Sequence, residues 1–173
     1  MRSVIGSHPV DPWYDEVRMI SRRRFVTQVA AALAAGSVVR QVASQLPLRL
    51  TPITVYKSKS CGCCANWVDY LRGAGFEPTV HDEEDMDAVK DRLGVPSELR
   101  SCHTAVIDRY LIEGHVPAGD IRRLLSSKPP LRGLAVPGMP SGTPGMAPAE
   151  AAIAGFEVVG FTSRGTTTVF SRY

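Results

Sequence analysis

The sequence predicts a mixed α/β fold in which a central sheet carries helices on both faces. Short β-rich runs alternate with segments whose apolar residues recur at helical spacing, and the predicted order is β-α-β-α-β-β-α. A segment dense in Pro and Gly follows, and a second β-rich stretch closes the chain. Composition does not distinguish this class, because 44% hydrophobic and 21% charged residues are ordinary for a globular protein.

The first half of the body consists of two predicted strand–helix units. Residues 53–56 form a β-rich run, and the helix after them has its apolar stripe at Trp67, Val68 and Leu71. A second strand is predicted at residues 78–81. The next helix begins among acidic residues and presents Met86, Val89 and Leu93 on one face. Gly94 is expected as its C-terminal cap.

The second half continues with two strands, a helix and a hairpin. Residues 104–107 and 111–116 are predicted strands, and the segment GDIRRLLSS is a predicted amphipathic helix. Residues 129–148 are too rich in Pro and Gly for a regular element, although their apolar side chains suggest that the segment packs against the body. Residues 156–173 are expected to form a hairpin that turns at 163–165.

This order of elements is that of a thioredoxin-like fold. In such folds the loop before the third strand lies opposite the N-terminus of the first helix. Here the first helix begins at a cysteine cluster, and the loop contains Cys102 and His103. The topology therefore predicts that Cys102 lies beside the cysteines near position 61, despite the distance in sequence.

The basic character of the chain is confined to its N-terminal segment. The sequence has 20 Lys and Arg against 17 Asp and Glu, and residues 1–43 contain six Arg and only three acids. The remainder is therefore balanced in charge. Binding to nucleic acid requires clustered basic residues, so we predict no nucleic-acid partner.

The N-terminal segment fits an export signal. Residues 21–25 read Ser-Arg-Arg-Arg-Phe, the twin-arginine pattern, and an uncharged Ala-rich run follows. That run is short for a membrane span, which needs about 20 apolar residues. We expect residues 1–44 to be a twin-arginine signal segment, cleaved or kept as an anchor, and residues 48–173 to be a domain outside the cytoplasm. A surface helix is the alternative for the apolar run.

The four cysteines are the strongest chemical feature. Cys61, Cys63 and Cys64 lie within four positions, and Cys102 is followed directly by a histidine. A helix N-terminus favours thiolate, which is the form that attacks disulfides and also the form that binds metal. The C-x-x-C spacing thus leaves open a thiol–disulfide oxidoreductase, a fold stapled by two disulfides and a metal site.

Three features favour the metal site. Cys63 adds a thiol that an oxidoreductase does not need. Cys102 and His103 occupy the loop where thioredoxins need a cis-proline. Met139 and Met146 lie in the Pro/Gly segment with no periodic face to bury them, although simple packing is the alternative for both. Thiolate and thioether sulfur select Cu(I). Three Cys with one His could also hold Zn²⁺, but the methionines favour copper.

Three stretches resemble a known family: YKSKSCGCCANWVDYLRGAGF, GVPSELRSCHTAVIDRYLIEGHVPAGDI and GLAVPGMPSGTPGM. They are similar, in the same order, to an exported bacterial family of unknown function whose members are labelled metal-binding and are linked with copper. The similarity spans roughly residues 53–171. It implies a thioredoxin-like fold and an extracytoplasmic metal site. The candidate ligands in matching motif positions are Cys61, Cys63, Cys64, Cys102, His103, His115, Met139 and Met146.

Together these observations predict a copper-binding protein that buffers, chaperones or delivers Cu(I) outside the cytoplasm. The expected partners are the metal ion and, for delivery, a copper-handling protein. The residues favour binding over catalysis without deciding between them. The alternatives are an oxidoreductase of exported proteins and a zinc- or disulfide-stabilised binding module. His115 by itself, at the end of a strand, is interpreted as a surface histidine, and only the resemblance adds it to the site.

Overall fold

The computed structural model describes residues 50–148, 151 and 153–173 of the chain. These residues form one seven-stranded mixed sheet with three α-helices, which confirms the predicted α/β fold class. The expected signal segment, residues 1–44, and the predicted start of the domain lie outside the described residues. Within the described part of the chain, no helix is both long enough and apolar enough to cross a bilayer.

The elements follow the predicted order, and one strand that was not predicted, Gly133–Ala135, lies between the last helix and the expected C-terminal hairpin. The bounds are β1 Thr51–Ser58, α1 Gly62–Gly73, β2 Phe76–Glu83, α2 Met86–Leu93, β3 His103–Ile107, β4 Tyr110–Glu113, α3 Ala118–Ser127, β5 Gly133–Ala135, β6 Glu157–Phe161 and β7 Thr167–Arg172. The sheet order is β2-β1-β3-β4-β5-β6-β7, in which β1 pairs with β2 and β4 with β5 in parallel, and the other pairs are antiparallel.

Helix α1 is held to the sheet by its apolar stripe. Trp67, Val68 and Leu71 are almost completely buried, as the helical spacing predicted. Fully burying side chains of this size stabilises the fold by about 1.5–3 kcal/mol each. The indole of Trp67 also donates a 3.0 Å hydrogen bond to the backbone oxygen of Val116, so its polar atom is satisfied. This packing fixes the N-terminus of α1, which carries the cysteines.

Helix α2 has a defined cap at each end. The carboxylate of Asp85 accepts a 3.0 Å hydrogen bond from the backbone N–H of Ala88, and Gly94 ends the helix with φ 74°. The left-handed conformation at Gly94 confirms the predicted cap, since glycine adopts it without a steric penalty. Val89 is buried, whereas Met86 is only half-buried.

The prediction that residues 129–148 contain no regular element is wrong for three of them. Strand β5 lies inside the sheet between β4 and β6, and its Leu134 is fully buried. Residues 131–136 contain no proline, so nothing prevents them from pairing. Position 133 accepts only glycine, because a Cβ there would overlap the backbone oxygen of Leu111. The strand was not predicted because the prolines on either side of it dominate the composition of the segment.

The C-terminal hairpin is confirmed. Strands β6 and β7 pair antiparallel, and the turn between them contains Gly165 with φ 81°. Tyr173 packs against the domain. Its ring stacks on Phe156 with 5.0 Å between centroids, and its hydroxyl donates a 2.9 Å hydrogen bond to Asp120.

Candidate metal centre

The N-terminus of α1 presents three cysteines to one region. Cys61 is the N-cap, in an extended conformation, and its side chain makes no capping hydrogen bond. Cys63 and Cys64 belong to the first turn. Cys64 is fully buried, whereas the other two are half-buried. The unpaired N–H groups of the first turn favour negative charge, which stabilises thiolate at this end of the helix.

Cys61 and Cys64 are joined by a disulfide, with 5.4 Å between their Cα atoms. Cys63 and Cys102 are free thiols. The Cys63 sulfur lies 3.5 Å from that of Cys61, close enough for its S–H to interact with the bridge. The arrangement with two structural disulfides, one of the alternatives from sequence, is therefore not formed. Two thiols remain available beside one bridge.

The sheet register brings Cys102 to this cluster. His103, the first residue of β3, pairs with Lys57 near the end of β1, and the chain reaches Cys61 a few residues after β1 ends. Cys102 precedes β3 directly and therefore lies beside the start of α1. The sulfur atoms of the four cysteines all lie within 4.8 Å of one another. The structure thus places the sulfurs together as the topology predicted, while their role as ligands stays a prediction.

Two histidines extend the cluster on the other side of Cys102. The Cys102 sulfur is 3.3 Å from Nδ1 of His103 and 3.1 Å from Nε2 of His115. The interpretation of His115 as a surface residue is wrong, because it is only 1% exposed. Its burial follows from the turn after β4, where the chain folds back under the Pro/Gly segment. Cys102 belongs to both clusters, the four cysteines and the Cys–His–His group.

Hydrogen bonding fixes the tautomer of His115. Its Nδ1 donates to the backbone oxygen of Pro144 over 2.7 Å, since that oxygen can only accept. Burial lowers the pKa of His115, so the ring is neutral and its Nε2 carries a lone pair that faces the Cys102 sulfur. The site therefore offers a nitrogen lone pair 3.1 Å from a thiol.

His103 is completely buried and has an unpartnered ring nitrogen. Its ring lies 4.3 Å from that of Trp67 and 4.9 Å from that of His115, between centroids. Burial, followed by electrostatic interaction with His115 and Lys90, lowers the pKa of His103 well below its usual value, so this ring is also neutral. Its Nε2 has no hydrogen-bond partner among the described residues. A buried polar atom without a partner typically costs about 1–3 kcal/mol, which a bound ligand would offset.

The thiol of Cys102 is held in its protonated form. Burial, and then the neighbouring Cys63, raises the pKa of Cys102 to about 12. A soft metal binds thiolate, so a metal that binds here must displace this proton. Metal affinity at this sulfur is therefore expected to depend on pH.

Residues 137–148 of the Pro/Gly segment close over the cluster from α1 to the Cys102 loop. A Cβ at Gly145 would lie 2.7 Å from the backbone nitrogen of Trp67, so only glycine allows this approach to α1. At its other end, Gly138 accepts a hydrogen bond from the Ser101 hydroxyl. Met139 is 58% exposed and Met146 is half-buried. The segment packs as expected, and the ligand role of both methionines stays a prediction.

Sequence reasoning missed a buried ion pair close to the site. Lys90 in α2 and Glu113 in β4 are 2% and 0% exposed, and they form a 2.6 Å salt bridge. A signal for Lys90 was present, because it lies four residues after Met86 and three before Leu93, on the stripe that faces the body. Charged residues are almost never buried without a partner, so the pattern was interpreted from its apolar members alone.

The donor set fits a soft metal ion. Thiolate sulfur selects Cu(I) or Zn²⁺, and neutral imidazole suits either metal. The described residues supply four cysteine sulfurs and two neutral histidines within a single region, and one of these histidines, His103, has an unpartnered buried nitrogen. Two of the sulfurs are in the disulfide, so reduction would raise the number of available thiols from two to four.

The comparisons with known proteins agree with this fit. Residues 99–146 match a family described as "Protein of unknown function, DUF411". Two solved structures, named copper resistance protein copG, form 1 and form 2, are each 48% identical to the chain. Each match has a TM-score of 0.66 and covers 72% of this chain and 98% of the other. No curated protein matches the chain.

Proposed function

The chain belongs to the same family as the copper resistance proteins copG, to which it is 48% identical, and from that membership we propose that it binds copper as Cu(I) and buffers, chaperones or delivers it. The expected export by the twin-arginine route places this role outside the cytoplasm. Copper is then cargo, and a copper-handling protein would load or unload it.

One observation carries the proposal: the sulfurs of Cys61, Cys63, Cys64 and Cys102 lie within 4.8 Å of one another. Cu(I) prefers soft sulfur ligands, and a chain that has only four cysteines has gathered all four in one region. The adjoining His103 and His115 are neutral, so they add nitrogen donors without adding positive charge.

The disulfide couples the proposed cargo to redox state. Opening the Cys61–Cys64 bridge takes two electrons and two protons and yields two thiols. An external thiol reductant must supply these electrons and protons, and is itself oxidised to a disulfide. In the oxidised form only Cys63 and Cys102 remain as thiols. We expect the oxidised protein to bind Cu(I) more weakly than the reduced protein.

Delivery requires that the metal can leave. Met139 is the most exposed of the large hydrophobic side chains in the described residues, and it lies in the segment that closes over the cluster. Thioether sulfur is a weaker donor than thiolate, so Met139 and Met146 would suit transient contacts during transfer to a partner protein.

A second function is favoured by the disulfide itself. A Cys61–Cys64 bridge at a helix N-terminus is the arrangement of a thiol–disulfide oxidoreductase, in which a substrate thiolate attacks one sulfur and the other leaves. In that case activity depends on Cys61 and Cys64 and survives replacement of Cys102. Zinc remains the alternative metal, because three cysteines and His103 supply four tetrahedral ligands.

The experiment is an anaerobic purification of the reduced protein, thiol counting and metal analysis, followed by Cu(I) titration against a competing chelator. The copper proposal predicts four titratable thiols after reduction and tight Cu(I) binding that the disulfide form does not match. Reversible dithiol chemistry with no Cu(I) binding would instead establish the oxidoreductase. Retention of zinc against Cu(I) would establish the zinc site.

A further inference from the structure

The buried ion pair between Lys90 and Glu113 is part of a hydrogen-bond network that also includes Thr104. The Lys90 ammonium lies 2.6 Å from Oε1 of Glu113 and donates to the Thr104 hydroxyl over 2.9 Å. That hydroxyl in turn donates to Oε2 of Glu113 over 2.6 Å. The three side chains therefore form a closed network, and each of the three residues is at most 2% exposed.

Glu113 has a fourth contact, which leaves the network. Its Oε1 accepts a 2.6 Å hydrogen bond from the backbone N–H of Ser101, the residue before Cys102. Thr104 faces Glu113 across the β3–β4 pairing, so the carboxylate lies beside β3 and its reach extends to the turn that precedes the strand. One carboxylate thus ties β4, β3 and the Cys102 turn together.

Stability alone does not account for this pair. Replacing a buried ion pair by apolar side chains of similar volume is often neutral or stabilising, because desolvation of the two charges opposes their attraction. The backbone N–H of Ser101 gives a reason for a charged acceptor here. A hydrogen bond to a charged group is roughly twice as strong as one between neutral groups, so an ionised carboxylate holds the turn more firmly than an amide would.

We infer that Glu113 is a positioning residue for the metal site: through the Ser101 N–H it fixes the turn that presents Cys102 to both ligand clusters. Lys90 supplies the opposite charge to the carboxylate through their 2.6 Å salt bridge. The inference rests on the proposed function only in that copper is taken as the ligand of Cys102. The tether itself is a property of the metal-free protein.

The turn is confined on its other side as well, so the tether has a defined geometry to maintain. The Ser101 hydroxyl donates to the backbone oxygen of Gly138 in the Pro/Gly segment. A Cβ at Gly114 would lie 2.6 Å from the Ser101 hydroxyl, which leaves no room for the turn to shift towards β4. Loss of the carboxylate would remove the hydrogen bond that holds the turn to β4, and the turn would then be held only through Gly138 and free to move away from β4.

Two matched double variants separate positioning from stability. Lys90→Met with Glu113→Gln removes both charges but keeps a side-chain oxygen that accepts from the Ser101 N–H. Lys90→Met with Glu113→Leu also removes both charges but leaves that N–H without an acceptor. Neither variant buries an unpaired charge, and each is checked for cooperative thermal unfolding. Amide hydrogen exchange at Ser101 and Cu(I) affinity of the reduced protein are then measured.

The inference predicts that the Gln pair, whose neutral amide oxygen holds the turn less firmly than a carboxylate, keeps Ser101 protection and Cu(I) affinity between those of the original protein and those of the Leu pair. Groups that orient metal ligands typically contribute about 10–100-fold in affinity, so the Leu pair should lose Cu(I) affinity in that range, together with Ser101 protection. Equal affinities in the two variants would overturn the inference. So would a Leu pair that keeps Ser101 protected.

A measurement on the unaltered protein guards against variants that do not fold. The Ser101 amide should exchange as slowly as the amides of β3, since its acceptor is fully buried. Exchange as fast as that of an exposed turn would overturn the inference without any variant. If the unaltered protein does not bind Cu(I), the proposed function fails, and the exchange pattern still decides whether Glu113 tethers the turn.

Discussion

Replacing Cys102 by serine is the sharpest perturbation of the proposed copper site. Its sulfur belongs to the group of four cysteines and also to the Cys102–His103–His115 group. Serine differs from cysteine by one atom, and position 102 is half-buried, so the fold should tolerate the change within about 1 kcal/mol. The cluster, in contrast, loses the donor that connects its two halves.

The expected magnitude follows from what a ligand contributes. Residues that only orient a ligand change metal affinity by about 10–100-fold, so loss of the ligand itself should weaken Cu(I) binding by about 100-fold or more. That factor corresponds to about 2.7 kcal/mol. The remaining Cys61, Cys63 and Cys64 would still bind Cu(I), because two or three thiolates suffice for this ion, so affinity falls without disappearing.

The assay is a competition titration of the reduced protein with Cu(I) and a chelator, under anaerobic conditions. Met86→Leu is the matched control, since Met86 is half-buried on α2 and belongs to neither donor group. The control should bind Cu(I) as the original protein does. An affinity of Cys102→Ser within about threefold of the control would refute the argument that Cys102 joins the two donor groups.

Three further predictions concern stability. Gly133→Ala should lower the free energy of unfolding by about 1–3 kcal/mol, because the added Cβ has no room. Gly119→Ala is the control, because open space surrounds that position. Thermal unfolding measures both variants, and equal midpoints would contradict the account. Above about pH 9 the unfolded chain releases the Cys102 proton while the folded protein keeps it to about pH 12, so stability should fall with rising pH, and less so in Cys102→Ala. Below about pH 6.5 His103 and His115 are protonated in the unfolded chain but stay neutral in the folded protein, so the free energy of unfolding should fall as the pH falls. Denaturant titrations across pH measure the pH dependence of stability for both predictions. A His103→Phe variant whose stability depends on pH as in the original protein would contradict this assignment.

The fold was predictable where local pattern and global structure agree. The helical spacing of Trp67, Val68 and Leu71 and the cap at Gly94 were sufficient because each depends on neighbours within one element. Strand β5 was missed because its pairing is entirely long-range. Three residues next to prolines have no periodicity of their own, and only the gap between β4 and β6 makes them a strand.

The candidate site divides in the same way. The approach of Cys102 to the first helix followed from topology, which sequence order can suggest. The burial of His115 did not, because it depends on the hydrogen bond to Pro144 in a segment that folds back over it. The ion pair of Lys90 and Glu113 was not predicted for a similar reason. Each charge is tolerated in the interior only because the other lies beside it, and nothing in the sequence around either residue indicates its partner.

X-ray absorption at the copper edge, recorded on reduced protein loaded with one equivalent of Cu(I), tests the central claim most directly. The account predicts a copper(I) edge and a first coordination shell dominated by sulfur, which weakens in Cys102→Ser. A shell made of nitrogen and oxygen alone would contradict it, because copper would then bind away from the sulfur atoms that the fold gathers around the start of α1.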